Sequence, residues 1–302
     1  MSALDKKNAK TVGKRRLAIQ AVAALLQNAH FKGFITGEIY TGPTKKVCVP
    51  GLNCYSCPGA VGSCPIGSLQ NALGGLRFRF PYYVVGLLLF FGALFGRAIC
   101  GFLCPFGLIQ DLLYLIPFYK KNRFKIDRFL RYLKFAVLAV LVILLPLCIP
   151  LTPTFCKYVC PSGTLSGILL SLNNSPLRRQ LGMLFDWKLI VLGIVIVSSL
   201  IVYRPFCKYL CPLGAIYGFF NRFAVFRLFF DAEKCVHCQA CAKACKMNVD
   251  PTRKPNSMEC IRCGDCVRAC PQKALHQGFL TPKKEDPATA KAVPDPEKAN
   301  QK

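Results

Sequence analysis

Apolar residues are gathered into four long runs, which basic or proline- and glycine-rich segments separate. The runs cover residues 17–39, 81–96, 132–149 and 187–203. A helix of about 20 predominantly apolar residues is long enough to cross the hydrocarbon core of a bilayer, and about 17 is the short limit. The pattern therefore predicts an α-helical membrane bundle of about four transmembrane helices.

The first run also allows a second interpretation, because the basic segment 1–16 before it is followed by a short apolar stretch, as in a signal peptide. We favour a membrane helix, since polar residues such as Gln20 and Gln27 within a span usually face the interior of a bundle. Under the positive-inside rule, the basic N-terminus 1–16 and the strongly basic loop 120–134 are expected in the cytoplasm.

A cysteine motif follows the apolar runs. Two cysteines four positions apart, the second followed by Pro-x-Gly, occur at Cys100 and Cys104, at Cys156 and Cys160, and at Cys207 and Cys211, and a shorter copy begins at Cys64. Copies with the same flanking pattern indicate internal repetition. The sequence therefore predicts a membrane domain over 17–230, made of repeat A (17–118) and repeat B (132–230).

Residues 47–70 contain Cys48, Cys54, Cys57 and Cys64 among prolines and glycines that forbid a continuous helix. Irregular backbone of this kind survives at membrane depth only where protein covers it. Taken alone, Cys54-x2-Cys57 is also compatible with a redox dithiol or with half of a zinc site.

The hydropathy falls after residue 230, where two runs of four cysteines begin. Their spacing is that of a two-cluster bacterial ferredoxin, in which the fourth cysteine of each run ligates the other cluster. The spacing predicts one [4Fe–4S] cluster on Cys235, Cys238, Cys241 and Cys270, and a second on Cys260, Cys263, Cys266 and Cys245. We expect an α+β ferredoxin domain over 231–278 and a disordered tail over 281–302.

Composition excludes several functional classes. The 302 residues include 19 cysteines, an odd number that argues against a fully paired disulfide framework. A formal charge of +26 would indicate nucleic acid binding in a soluble protein, but here the basic residues flank apolar spans, so membrane topology explains them and no nucleic-acid partner is predicted. Neither a glycine-rich nucleotide fingerprint nor a nucleophile with its base is evident, so no independent substrate chemistry is indicated.

Topology and repetition together predict where the membrane cysteines meet. With the N-terminus inside, the segment 47–64 and the motif at 156–160 lie on the outer side, and the other two motifs lie on the inner side. Parallel repeats would bring facing motifs together. We therefore expect an outer cluster on Cys57, Cys64, Cys156 and Cys160, with Cys54 or Cys48 as substitutes, and an inner cluster on Cys100, Cys104, Cys207 and Cys211.

With these motifs in hand, the chain resembles the membrane-bound polyferredoxins of the NapH/NosR type over roughly residues 15–275. The resemblance implies an electron carrier of anaerobic respiration in the cytoplasmic membrane, between a quinol or cytoplasmic donor and a reductase on the other face. It also implies redox partner proteins on one or both faces, with quinone or a flavoprotein as candidate partners. The flavin-binding periplasmic domain of the nitrous-oxide branch has no counterpart here.

Two other functions compete with electron transfer across the membrane. In a thiol–disulfide oxidoreductase, the outer cysteines would cycle as dithiols while only the ferredoxin held clusters. In an accessory or maturation protein, the chain would serve the assembly or redox sensing of a partner. Iron content separates the first of these from an electron carrier, and the phenotype of a deletion strain separates the second.

Overall fold

A computed structural model describes residues 3–75, 80–120, 124, 126–150, 152–173 and 182–279 of this chain. The predicted disordered tail and part of the basic loop 120–134 lie outside these residues. Repeat A contains the helices α1 (Ala3–Gln27), α2 (Phe31–Thr36), α3 (Pro65–Leu73), α4 (Tyr82–Phe95), α5 (Ala98–Phe102) and α6 (Pro105–Leu115), with a 3₁₀ turn at Pro43–Lys46.

Repeat B begins with a helix in three parts, α7 (Asp127–Val137), a π-helical segment (Leu138–Leu144) and α8 (Leu145–Cys148). It continues with α9 (Thr154–Tyr158), α10 (Pro161–Asn173), α11 (Met183–Ile201), α12 (Pro205–Tyr209) and α13 (Pro212–Phe220). The C-terminal part contains β1 (Phe226–Phe230), α14 (Ala240–Ala244), α15 (Asp265–Ala269) and β2 (Leu275–Phe279).

The Cys-Pro-x-Gly turns share one local conformation. Cys64, Cys104 and Cys211 are extended at ψ 128°, 116° and 115°, and the proline after each is the first residue of a helix. The residue before a proline is restricted to extended backbone, and proline suits the first helical position because its missing N–H has no partner there. The motif therefore breaks the chain at the second cysteine and starts a new helix.

Two helices of the described residues, 127–148 and 183–201, are long and apolar enough to cross a membrane. Only 22% and 17% of their apolar windows are buried within the protein, which suits helices that face lipid better than helices in a soluble core. The helix Tyr82–Phe95 is apolar but shorter. The predicted helical architecture is confirmed, whereas four transmembrane helices are not.

The first predicted span differs from the helix that forms there. Helix α1 includes the basic N-terminal segment from Ala3 and ends at Gln27, well before residue 39. The chain then turns, and α2 is a separate short helix that stops before Gly37, whose backbone is left-handed with φ 70°. The interval that was expected to be membrane helix is therefore a helix, a break and a second short helix.

The π-helical segment in the 127–148 helix precedes Pro146, which cannot donate a backbone hydrogen bond. The hydroxyl of Thr154 donates to the carbonyl oxygen of Leu141 at 2.6 Å. A side-chain donor of this kind satisfies a carbonyl group that the irregular helix leaves without a backbone partner.

The C-terminal module is the predicted α+β ferredoxin. Strands β1 and β2 pair antiparallel, with Phe226 opposite Phe279 and Phe230 opposite Leu275. Helices α14 and α15 pack against each other. Strand β1 precedes residue 231, where the hydropathy of the sequence placed the boundary, and it pairs with β2 in the same sheet.

Candidate iron–sulfur sites

Each ferredoxin cysteine lies beside the partners that the spacing predicts. One cavity is lined by Cys235, Cys238, Cys241 and Cys270, and a second by Cys245, Cys260, Cys263 and Cys266. Backbone amides point at the crossing sulfurs, with Val249 N 3.4 Å from Cys245 Sγ and Ala274 N 3.3 Å from Cys270 Sγ. Amide donors to cysteine sulfur are typical of iron–sulfur sites.

The donor chemistry of these cavities fits a cluster. Among the described residues, no three His, Cys, Asp or Glu side chains are close enough to hold one metal ion. Burial raises the pKa of the Cys266 thiol to about 12, and the neighbouring thiols of Cys260 and Cys245 add to the effect. Metal cations offset the mutual repulsion of neighbouring thiolates, so four cysteines that line one cavity suit a cluster.

Two motifs that are far apart in sequence meet at a buried inner site. Cys207 interacts electrostatically with Cys104 and Cys100, and Cys211 interacts with the same two residues. All four side chains are buried. The structure therefore brings together Cys100, Cys104, Cys207 and Cys211, the residues expected for the inner set.

The two inner motifs contact each other reciprocally. Arg97 and Arg204 each precede the first cysteine of a motif by three residues. Arg97 Nη2 donates to the carbonyl oxygen of Cys207 at 2.6 Å, and Arg204 Nη1 donates to that of Cys100. This exchange holds the two inner motifs against each other.

The glycine of each inner motif is required by a close approach. A Cβ added to Gly107 would lie 3.0 Å from the carbonyl oxygen of Cys100, and one added to Gly214 would lie 3.0 Å from that of Cys207. Both contacts are tighter than ordinary side-chain packing allows. The Pro-x-Gly pattern therefore folds each motif tightly back on its own first cysteine.

Buried ion pairs hold these arginines. Arg204 binds Asp111 through two hydrogen bonds of 2.7 and 2.5 Å, and Arg16 donates to the same carboxylate at 2.9 Å. A buried guanidinium is tolerated only when it is paired and hydrogen-bonded. Sequence reasoning treated Arg97 and Arg204 as the ends of spans, although their identical position before both inner motifs was an available signal.

The outer site forms with one substitution relative to the prediction. Cys156 interacts electrostatically with Cys160, Cys64 and Cys54, and Cys160 interacts with Cys54 and Cys64. Cys54 Sγ lies 3.9 Å from the position of a Cβ on Gly163, in the turn that follows Cys160. The set that converges here is Cys54, Cys64, Cys156 and Cys160.

Cys57, which was expected in the outer set, has other partners, and Cys54 takes its place. The Cys57 thiol is hydrogen-bonded by the backbone amides of Gly59 and Ala60 and by the hydroxyl of Ser166. Cys57 N donates to the carbonyl oxygen of Cys54 at 3.1 Å in a tight turn. The second predicted substitute, Cys48, is hydrogen-bonded to Ser68 instead.

The ferredoxin module is docked on the inner site through the loop that carries Cys260. Backbone carbonyls of this loop come close to two glycines, because a Cβ on Gly101 would lie 2.7 Å from Ile261 O and one on Gly218 would lie 3.0 Å from Met258 O. Asn221 Nδ2 donates to the carbonyl oxygen of Cys260 at 2.8 Å. Glycine permits the close approach of one backbone to another, so the two parts share one interface.

Glu259 joins the same interface to two buried cations. Its carboxylate accepts hydrogen bonds from Arg97, at 2.5 Å, and from Lys134. Burial alone would raise the pKa of Glu259, but Arg97 and Lys134 outweigh burial and lower the pKa to about 2. Glu259 is therefore ionised at neutral pH and fastens the ferredoxin loop to helices of both repeats.

Tyr217 connects the inner and outer sites. This fully buried side chain interacts electrostatically with Cys100, Cys104 and Cys211 of the inner set and with Cys64 of the outer set. Its hydroxyl donates to the carbonyl oxygen of Pro50, in the outer segment, at 3.0 Å. The order is thus the ferredoxin sets, the inner set and the outer set. It begins at the exposed Cys238 in the ferredoxin and ends at the half-buried Cys54 in the outer set.

All nineteen cysteines lie within the described residues, and none forms a disulfide bond. Sixteen of them belong to the two ferredoxin sets, the inner set and the outer set. Cys48, Cys57 and the exposed Cys148 remain outside these sets.

Family models match most of the helical part and the ferredoxin. A 4Fe-4S binding domain matches three times, at residues 82–123, 133–182 and 184–229, and a 4Fe-4S dicluster domain matches residues 227–271. The chain thus carries [4Fe–4S]-binding domains over much of its length, which is consistent with several clusters. No solved structure matches the chain significantly.

Curated relatives come from archaea and bacteria. Two uncharacterized proteins of Methanocaldococcus jannaschii are similar. MJ0749 is 31% identical over 54% of this chain and 57% of its own length. MJ0750 is 30% identical over 63% of this chain and 74% of its own length. The methylamine utilization ferredoxin-type protein MauN of Paracoccus denitrificans is 29% identical over 59% of this chain and 58% of its own length. The regulatory protein NosR of Stutzerimonas stutzeri is 26% identical over 51% of this chain and 20% of its own length. The matches to MJ0749 and MauN thus span little more than half the length of those relatives.

Proposed function

The chain belongs to the NapH/NosR-type polyferredoxin family, and from this we propose that it carries single electrons across a membrane. The donor is a cytoplasmic carrier or quinol, and the acceptor lies at the outer face. In this proposal the protein is an electron-transfer subunit, and its redox partners carry out the substrate chemistry. A [4Fe–4S] cluster, when bound, takes up and releases one electron at a time.

We propose four clusters, each held by four cysteines. The ferredoxin sets are Cys235, Cys238, Cys241 and Cys270, and Cys245, Cys260, Cys263 and Cys266; the inner set is Cys100, Cys104, Cys207 and Cys211; the outer set is Cys54, Cys64, Cys156 and Cys160. The observation that carries the proposal is the order of the four cysteine sets along the protein. Arg97 lies at the contact between Cys260 of the ferredoxin and the inner set. Tyr217 lies between the inner set and the outer set.

Arg97 lies between the ferredoxin loop and the inner set and contacts both. Arg97 interacts with Cys100 and Cys207 and donates to the carbonyl oxygen of Met258 at 2.8 Å, so it fixes the ferredoxin loop against the inner motif. Positive charge from Arg97 and Arg204 also offsets the negative charge of four thiolates in a buried site.

The membrane orientation is part of the proposal. The basic loop and the ferredoxin belong on the same side, because Arg131 donates to the carbonyl oxygens of Met247 and Asn248 at 3.2 and 3.1 Å. Helix α1 also packs against α15 of the ferredoxin. The positive-inside rule makes this the cytoplasmic side.

Iron content tests the proposal directly. Four clusters correspond to about sixteen irons in each chain after anaerobic purification or cluster reconstitution. The variants C211S and C160S should each lower the iron content by about four, through loss of the inner and of the outer cluster. About eight irons in the unaltered chain, together with reactive thiols in the helical part, would instead support the thiol–disulfide oxidoreductase.

A further inference from the structure

Two buried glutamines occupy matched positions in repeat A. Gln70 on α3 and Gln110 on α6 each follow the cysteine of a Cys-Pro-x-Gly turn, Cys64 and Cys104, by six residues. Their exposed fractions are 1% and 0%. Burying a carboxamide costs free energy unless the group is hydrogen-bonded. The hydrogen-bond partners of Gln70 and Gln110 therefore indicate the role of each side chain.

Both glutamines donate to a cysteine sulfur of repeat B. Gln70 Nε2 lies 3.6 Å from Cys156 Sγ, in the outer set, and Gln110 Nε2 lies 3.0 Å from Cys207 Sγ, in the inner set. In both cases the acceptor is the first cysteine of a Cys-x3-Cys-Pro motif. The orientation of Gln70 is fixed, because its Oε1 accepts from the backbone N–H of Phe155 at 3.1 Å.

The same position in repeat B carries other residues with other contacts. Ser166 follows Cys160 by six residues and hydrogen-bonds the Cys57 thiol, while Tyr217 follows Cys211 by six and donates to the carbonyl oxygen of Pro50. Both contact the segment 47–64 rather than a sulfur of the inner or outer set. Among the described residues, each membrane set therefore receives a carboxamide donor from repeat A.

We propose that Gln110 sets the reduction potential of the inner cluster and that Gln70 separately sets that of the outer cluster. A hydrogen bond to a ligand sulfur stabilises the more negative reduced state, so it raises the reduction potential. Gln70 and Gln110 are positioning residues that act through Cys156 and Cys207. The inference rests on the proposed function, because it needs clusters at both membrane sites.

The test uses the full chain, purified anaerobically, with the variants Q110M and Q70M. Methionine keeps an unbranched side chain of similar length but has no N–H donor. The readout is an EPR-monitored redox titration of all clusters together with iron content. The matched control is Q27M, since Gln27 is a partly buried glutamine that donates to the backbone oxygen of Leu103 at 2.8 Å rather than to a sulfur.

Q110M is expected to lower the midpoint potential of one cluster and Q70M that of a different cluster, while the ferredoxin clusters and Q27M keep the original values. At a fixed potential, the ratio of reduced to oxidised cluster should fall about tenfold, a shift of about 59 mV for one electron. Unchanged potentials with full iron content, or a shift of the same cluster in both variants, would overturn the inference.

Loss of iron is also decisive. If Q110M loses about four irons, the less flexible variant Q110L is titrated, and loss of iron in both would show a purely structural role. The proposed function fails separately, when the unaltered chain binds only about eight irons. If the variants Q110M and Q70M keep four clusters with unchanged reduction potentials, the inference about the glutamines is wrong while the proposed function stands.

Discussion

Arg97 Nη2 lies 2.6 Å from the carbonyl oxygen of Cys207, a residue that is 110 positions away in the chain. Arg204 makes the matching hydrogen bond to Cys100 O, so each inner motif is held by the arginine of the other. Motifs related by sequence repetition thus become the two halves of one site. The glycine of each Pro-x-Gly turn allows the tight fold that presents both cysteines to the centre.

The first prediction concerns the buried pair of Arg204 and Asp111, whose side chains are 0% and 4% exposed. The variant R204M leaves Arg16 as the cationic partner of the Asp111 carboxylate, and breaking a buried ion pair costs about 3–5 kcal/mol. The free energy of unfolding of the purified protein should fall by that amount. The exposed Arg222 is the control, and R222M should change the same quantity by less than about 0.5 kcal/mol. Equal effects of the two variants would contradict the pairing.

The second prediction concerns the docking of the ferredoxin. The variant E259Q removes the charge that pairs with Arg97 and Lys134, so the loop 257–262 should open more often. Hydrogen exchange of the amides in that loop should become roughly tenfold faster, which corresponds to about 1.4 kcal/mol. The exposed Glu233 provides the control variant E233Q. Unchanged protection in E259Q would show that the glycine contacts and the hydrogen bonds of Asn221 and Arg97 hold the module without this charge.

The third prediction separates Cys54 from Cys57. Since Cys54 converges with Cys64, Cys156 and Cys160, C54S should lose about four irons, whereas C57S should keep about sixteen. The exposed Cys148 supplies the control variant C148S, which should also keep its iron. Loss of iron in C57S with retention in C54S would restore the assignment that the sequence suggested.

The fourth prediction concerns the close approach of backbones at Gly101. A valine there would place its Cβ 2.7 Å from Ile261 O, so G101V should destabilise the protein by about 1–3 kcal/mol. A Cβ added to Gly86 would meet no atom within 4 Å, so G86V is the matched control in a helix. The measurement is the free energy of unfolding of G101V and of G86V under the same conditions. Similar stability would mean that the ferredoxin loop moves away without cost.

The fifth prediction concerns membrane sidedness. Alkaline phosphatase fused after residue 302 should be inactive, because it would remain in the cytoplasm with the ferredoxin, and green fluorescent protein at the same position should fluoresce. Fusions before residue 1 should give the same result. Active phosphatase at the C-terminus would place the ferredoxin on the outer face.

The sequence by itself determined the features that depend on local backbone. Three cysteines within seven residues can surround a cluster through a single turn, so the spacing predicted both ferredoxin sets, and the structure gathers the same cysteines in two cavities. The Cys-Pro-x-Gly turns are local for the same reason, because proline restricts its predecessor and starts the following helix. Repetition of the motif was enough to suggest which cysteines face each other at the inner site.

Tertiary structure decided what depends on distant partners. Cys54 and Cys57 are equivalent by spacing, and tertiary packing distinguishes them, because Cys57 contacts Ala60 and Ser166 whereas Cys54 interacts with Cys156 and Cys160. Hydropathy did not indicate strand β1, because this strand pairs with β2, which begins about 45 residues later. The roles of Arg97, Gln70 and Gln110 follow from contacts between the repeats, and hydrophobic periodicity carries no information about which buried polar groups will meet.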